Sequence, residues 1–171
     1  MDILKKNFFE LFNIDIAVDI NKSELDEKVK VLQNQFHPDK YAGGSDFEKR
    51  LALQISSHVN DGYKILSDIV LRIDYILKIN NFVKDESKTI NDVDFLQEQI
   101  EYSELIEALK EDLNNAIIDE NLLKIKLLLK TAINNIKLSL QSQDFEDMWQ
   151  NLSKIRFYIK NINELIVMRN K

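Results

Sequence analysis

Polar and apolar residues alternate with the period of an α-helix along most of the chain. Two neighbouring segments show this spacing, with Leu25, Val29, Leu32 and Phe36 in the first and Ala52, Ile55, Val59, Tyr63 and Leu66 in the second. Ser23 is predicted to cap the first helix, and Ser45 with Glu48 to form a capping box for the second. The pattern therefore predicts an antiparallel helical hairpin that buries both apolar stripes.

Shorter helices flank this hairpin, and longer ones follow it. An aromatic segment at 7–12 is stopped by Asn13, and a further helix is predicted at Ile69–Ile79. Polar residues then predominate, which indicates a linker at 81–92 between an N-terminal domain at 1–80 and a C-terminal domain at 93–171. Three helices are predicted in the second domain, at 93–113, 121–141 and 145–168. The fold class is all-α, a hairpin domain followed by a three-helix bundle.

Composition removes several classes of function. The net charge of −6 disfavours nonspecific binding to nucleic acid, which needs clustered Lys and Arg. With no cysteine and only two histidines, the sequence predicts no disulfide, no metal site and no bound cofactor. No apolar run is long enough to span a membrane, and no leader is evident at the N-terminus. We expect a soluble protein of the bacterial cytoplasm rather than of the mitochondrial matrix.

One short stretch interrupts the helical pattern, namely His37-Pro38-Asp39-Lys40. Pro38 is the only proline, and it forces the preceding helix to end at about Phe36 or His37. His37 and Asp39 then project from a rigid corner. Taken alone, this corner is a helix-ending turn; an enzyme using His37 and Asp39 as an acid–base pair is disfavoured, because the proline usually points them apart and no nucleophile accompanies them.

The helical periodicity of the second domain leaves some apolar residues off its core stripes. The predicted core comprises Phe95, Tyr102, Ile106, Leu109 and Leu113 in its first helix, and Phe145, Met148, Trp149, Leu152, Ile159 and Ile166 in its last. Leu96 and Ile100 point away from the first stripe, beside Glu101 and Glu104, and Phe157 points away from the second. These positions are candidates for packing on another surface, of this molecule or of a partner.

The first domain resembles a J-domain residue by residue. The resemblance lies in the aromatic first helix, the lysine-bearing second helix, the His37-Pro38-Asp39-Lys40 corner, and the sequence from Asn60 to Asp68 that ends the third helix. The whole chain is similar to the HscB type of J-domain co-chaperone, which serves iron–sulfur cluster assembly. That similarity is carried by the stretches 32–40, 72–77, 94–101 and 154–157.

The resemblance implies an L-shaped, non-enzymatic protein with two partners. Its J-domain would stimulate the ATPase of a DnaK/HscA-type chaperone through His37, Pro38, Asp39, Lys28, Lys30 and Lys40. Its second domain would bind the scaffold protein IscU through Leu96, Gln97, Ile100, Glu101, Glu104 and Phe157. Any iron–sulfur cluster would belong to the scaffold, because this chain has no cysteine.

The sequence departs from the family pattern at Asn34, Gln97 and Ala108, where a basic residue, a methionine and a further acid often stand. These departures bear on how strongly each partner docks. The alternative is a J-domain protein for a different client, with the C-terminal helices as an unrelated adaptor.

Overall fold

The computed structural model describes residues 3–83 and 92–170, and the regular secondary structure in these ranges is helical, without a β-strand. The α-helices are α1 (Phe8–Phe12), α2 (Lys22–Gln35), α3 (Asp46–Ser67), α4 (Ile69–Ile79), α5 (Val93–Glu111), α6 (Asn115–Ser142) and α7 (Phe145–Arg169). Short 3₁₀ turns cover Ile3–Lys5 and Pro38–Tyr41. The chain forms two compact units, Met1–Asn81 and Phe82–Lys171. Most of the predicted linker lies outside the described residues.

The caps of the hairpin helices are side chains that accept orphan backbone N–H groups. The capping box of Ser45 and Glu48 at the start of α3 is confirmed. The prediction that Ser23 caps α2 is wrong, because the side chain of Asn21 accepts the N–H groups of Ser23 and Glu24 at 3.0 and 3.3 Å. Asparagine is an equally good N-cap, and it lies two residues earlier.

The core of the first unit joins the hairpin to both flanking helices. Its largest fully buried side chains are Phe9, Phe12, Leu25, Leu66, Ile73 and Ile76. Gly62 allows this packing, because a Cβ there would lie 2.8 Å from Phe8 Cδ1 and 2.9 Å from Phe12 Cε2. Farther along the hairpin, Gln33 Nε2 donates a hydrogen bond to Asn60 Oδ1 at 2.8 Å. The two long helices are therefore fixed relative to each other at the end that carries the corner.

A buried arginine, Arg72, lies within α4 and is only 7% exposed. Burial lowers the pKa of its guanidinium, while the carboxylates of Asp19 and Asp68 act in the opposite direction. Arginine keeps its charge even when its pKa is lowered, so the neighbouring carboxylates compensate a charge inside the unit.

The second unit contains the predicted three helices, although α6 begins earlier than predicted. Asn114 caps α6 by accepting the N–H groups of Ala116 and Ile117, so the helix starts at Asn115 rather than at 121. The first turn of α6 is stabilised by Ile118, which is fully buried. Gln143, in the left-handed conformation with φ of 58°, ends α6 before α7.

Two residues that were predicted to lie in the core of the second unit are exposed. Leu113 lies beyond the end of α5 and is 45% exposed, and Ile166 is 38% exposed. The buried stripe of α7 instead follows Met148, Leu152, Ile155, Tyr158, Ile162, Leu165 and Met168. Seven residues are slightly less than two full turns of an α-helix with 3.6 residues per turn. The buried stripe therefore moves gradually around the surface of this 25-residue helix.

Candidate functional site

The His-Pro-Asp corner follows directly from the end of α2. The last α2 hydrogen bond runs from the N–H of Phe36 to the carbonyl of Leu32 at 2.9 Å, as the sequence predicts for a helix stopped by proline. His37 is extended, with φ of −61° and ψ of 127°, and Pro38 opens the 3₁₀ turn Pro38–Tyr41. The hydroxyl of Tyr41 donates to the Gln35 carbonyl at 3.3 Å. The corner is thus fixed by the end of α2 on one side and by the Tyr41 hydrogen bond on the other.

His37 and Asp39 lie closer together than predicted. The backbone N–H of Asp39 donates to His37 Nδ1 at 3.3 Å, and Nδ1 lies 3.7 Å from Asp39 Oδ2. The prediction that the proline points the two side chains apart is wrong, because the imidazole turns back to cap the 3₁₀ turn. His37 Nδ1 is therefore the acceptor that caps the turn presenting Asp39.

The corner lacks the surroundings of a catalytic pair. The side chains of His37 and Asp39 are 57% and 90% exposed. General acid–base residues are usually in a cleft that excludes water. An exposed carboxylate on a fixed turn instead suits recognition of a cation on another protein.

The three lysines proposed for chaperone docking differ in their surroundings. Lys30 on α2 and Lys40 at the corner are exposed. Lys28 makes two contacts within its own unit, because its Nζ lies 2.6 Å from Glu24 Oε1 and donates to the Asn13 carbonyl at 2.5 Å. Lys28 therefore closes the end of α1 onto α2, a structural role that the sequence pattern did not indicate.

A second candidate surface lies on α5, in the second unit. Leu96 and Ile100, one turn apart, are 45% and 60% exposed, and Glu101 and Glu104 are exposed beside them. Gln97 Nε2 donates to Glu101 Oε1 at 3.1 Å, so both side chains hold a fixed position at its edge. We name Leu96, Ile100, Glu101 and Glu104 the α5 patch.

Phe157 on α7 does not stand outward as the periodicity predicts. It is half-buried, and its ring meets those of Phe95 and Tyr102 edge to face, at centroid separations of 5.5 and 6.0 Å. These contacts hold α5 against α7. The remaining surface of Phe157 lines a groove of about 290 Å³ between the two helices, next to Gln99 and Ser103.

Two polar contacts fix the start of α5 and were missed by sequence reasoning. The hydroxyl of Tyr158 donates to Glu98 Oε2 at 2.8 Å, and Lys154 Nζ lies 2.5 Å from Asp92 Oδ2. Burial, followed by the Glu98 carboxylate, raises the pKa of Tyr158, while the Lys154 hydrogen bond lowers the pKa of Asp92. Nothing in the spacing of Glu98 indicated that this half-buried carboxylate binds a tyrosine rather than water.

No group of three or more histidine or acidic side chains in the described part of the chain is arranged to hold a metal ion. Within residues 3–83 and 92–170, every helix lacks the length or the apolar character needed to cross a bilayer.

Comparison with known proteins agrees with these features. A co-chaperone HscB homolog of Psychromonas ingrahamii is 31% identical over 166 residues, which cover 96% of this chain and 98% of that protein. Another, from Shewanella amazonensis, is 40% identical over 104 residues, 60% of each chain. No protein-family model matches the chain.

Solved structures of the same kind share the fold. The chaperone HscB from Vibrio cholerae is 25% identical, with a TM-score of 0.83 over 96% of this chain and 98% of that one. Human co-chaperone HscB, at 24% identity, shows the fold alone, with a TM-score of 0.79 over 95% of this chain and 82% of the human one. A helical hairpin with His-Pro-Asp at its turn, joined to a helical second unit, defines a co-chaperone of the J-domain class. The chain belongs to the HscB family of co-chaperones.

Proposed function

We propose that this protein stimulates the ATPase of a DnaK/HscA-type chaperone and delivers the iron–sulfur scaffold protein IscU to it. The protein itself performs no chemistry in this account. ATP hydrolysis takes place on the chaperone, and the iron–sulfur cluster is cargo of the scaffold. The observation that carries the proposal is the fixed, exposed carboxylate of Asp39 at the His37-Pro38 corner.

The geometry of the corner supports an electrostatic contact with the chaperone. The Asp39 side chain is 90% exposed, yet its backbone N–H is bound to His37, so little backbone entropy remains to be lost when a partner arginine pairs with it. Lys30 and Lys40 would accelerate encounter with an acidic chaperone surface. Lys28 contributes less directly, since it already pairs with Glu24.

The α5 patch supports binding of the scaffold. Two exposed aliphatic side chains ringed by carboxylates combine an apolar anchor with a polar rim. Gln97 would contribute at the edge, where it already orients Glu101. Phe157 would act partly through its exposed edge and partly by holding α5 in place.

The chaperone half of the proposal is tested by steady-state ATP hydrolysis. Addition of the protein should raise the turnover of a DnaK/HscA-type chaperone, and Asp39→Asn should remove most of the increase. Circular dichroism should show an unchanged fold, because the Asp39 side chain is exposed. Absence of stimulation by the unmodified protein would refute this half.

The scaffold half is tested by isothermal titration with purified IscU. Leu96→Ala combined with Ile100→Ala should weaken binding about tenfold or more, as expected for anchor residues. Leu138→Ala serves as the matched control, because Leu138 on α6 is 63% exposed and lies off the α5 patch. Unchanged affinity in the double variant would mean that the scaffold binds elsewhere than on the α5 patch. Absence of IscU binding by the unmodified protein would instead favour a J-domain protein with a different client.

A further inference from the structure

The outward face of α6 carries an apolar pair that its own unit leaves uncovered. Leu123 and Leu127 lie one turn apart and are 75% and 65% exposed. Lys124, Lys126 and Lys130 are exposed around them, and one exposed carboxylate, Glu120, lies a turn before Leu123. We name the two leucines and three lysines the α6 face. It is basic and apolar, although the chain as a whole has a net charge of −6.

The α5 patch has the opposite charge and the same spacing. Leu96 and Ile100 are also one turn apart, and α5 carries six carboxylates against one lysine, whereas α6 carries four lysines against two carboxylates. Both apolar pairs are exposed in the same unit, so they do not cover each other within one chain. Contact between them requires two copies.

We propose that the α6 face of one copy binds the α5 patch of a second copy. In such a contact, Leu123 and Leu127 pack on Leu96 and Ile100, and lysines of α6 lie opposite Glu101 and Glu104. A symmetric contact between two α6 faces is disfavoured, because it would bring lysines against lysines. The contact joins two different surfaces, so it either closes as a reciprocal two-fold pair or, where one surface of each copy stays free, builds rings or open chains.

The size of the two surfaces predicts a weak and reversible association. Two helical turns on each side bury less than the ~1,200 Å² at the lower end of stable interfaces. Since the charges are exposed, the contact should weaken as salt is added. If the α5 patch binds the scaffold as proposed above, self-association covers that patch until the scaffold displaces the second copy.

A mixing experiment by sedimentation equilibrium tests the proposal without any partner protein. One variant, Leu123→Asp with Leu127→Asp, lacks the α6 face but keeps the α5 patch. The other, Ile100→Lys with Glu104→Lys, lacks the α5 patch but keeps the α6 face. All four positions are exposed, so both variants should fold, which far-ultraviolet circular dichroism checks.

The average mass of the unmodified protein should rise with concentration, and each variant alone should remain a single chain. An equimolar mixture of the two variants should form a complex of one copy of each. Leu53→Asp, at a leucine of α3 that is 60% exposed, should associate like the unmodified protein.

Three results would overturn the proposal. They are a single-chain mass for the unmodified protein at every concentration, self-association of the variant that keeps only the α6 face, and failure of the mixture to form a complex. Vesicles of phosphatidylcholine and phosphatidylglycerol are the further probe. Binding that is lost with Leu123→Asp and Leu127→Asp, without self-association in solution, would make the α6 face a membrane contact instead.

Discussion

The imidazole of His37 accepts the backbone N–H of Asp39 across 3.3 Å, so the residue before the proline caps the turn that presents the carboxylate. Pro38 fixes the φ angle between them and has no N–H of its own to satisfy. The three residues thus act as one unit: a cap, a rigid link and an exposed charge. This relationship gives the surface histidine that precedes the acid a structural role.

Lys28 and Lys30 should respond differently to replacement by alanine. Lys28→Ala removes contacts to Glu24 and to the Asn13 carbonyl, and should lower the free energy of unfolding by about 0.5–1 kcal/mol. Lys30→Ala should leave stability unchanged and slow association with the chaperone, most strongly at low salt. Urea unfolding and stopped-flow binding measure the two effects. Equal stability losses in both variants would contradict the assigned roles.

Gly62 is predicted to tolerate no side chain. Alanine gains helix propensity, but its Cβ would meet the Phe8 and Phe12 rings at 2.8 and 2.9 Å, and the Phe12 ring is buried in the core. Gly62→Ala should therefore lower the free energy of unfolding by about 1 kcal/mol or more. Gly43→Ala is the control, because a Cβ at Gly43 meets nothing within 4 Å. Thermal unfolding of both variants gives the comparison, and an equal or raised midpoint for Gly62→Ala would disprove the close contact.

Two tyrosines of the second unit should respond oppositely to loss of the hydroxyl. Tyr158→Phe removes the hydrogen bond to Glu98 and should lower the free energy of unfolding by about 1.5 kcal/mol, as expected for a hydrogen bond to a charged group. The Tyr102 hydroxyl is buried without a hydrogen-bond partner in the described part of the chain. Tyr102→Phe should therefore be neutral or stabilising, since an unsatisfied polar group is removed. Denaturant titrations measure the free energy of unfolding of both variants. A larger loss of stability in Tyr102→Phe than in Tyr158→Phe would contradict these hydrogen-bonding roles.

Asp92 should make the second unit sensitive to acid. The hydrogen bond from Lys154 holds the pKa of Asp92 below its ordinary value of about 3.9, so its stabilisation is complete above that pH and is lost as pH falls through the lower native value. Asp92→Asn keeps an oxygen to accept the Phe95 N–H but has no charge. Unfolding free energies between pH 5 and 3 should fall less steeply in Asp92→Asn. Parallel curves for the two proteins would show that the ion pair contributes nothing.

The architecture was accessible from the sequence because its signals are local. Apolar spacing predicted the hairpin and the three later helices, and Ile69–Ile79 is the observed extent of α4. The resemblance to the HscB family is confirmed by the comparisons. The spacing of apolar residues did not locate the start of α6, because Asn114 is the N-cap of the helix and the apolar residues of its first turn follow directly.

The details of the candidate surfaces depend on contacts that spacing does not reveal. Leu96 and Ile100 are exposed as the periodicity predicted, but Phe157 fills the gap between α5 and α7 because it meets Phe95 and Tyr102 there. Likewise, Glu98 binds Tyr158, 60 residues away in sequence. Side-chain pairs between helices arise from the packing of the unit, so a single-helix pattern cannot identify them.

We propose that Asp39 acts on the chaperone while the α5 patch brings the scaffold. The most direct test is the chaperone's ATPase rate with and without IscU. The unmodified protein and IscU together should raise the rate more than the sum of their separate effects. Leu96→Ala with Ile100→Ala should remove only this synergy, whereas Asp39→Asn should remove stimulation altogether. Full synergy in the α5 double variant, or full stimulation by Asp39→Asn, would contradict the claim.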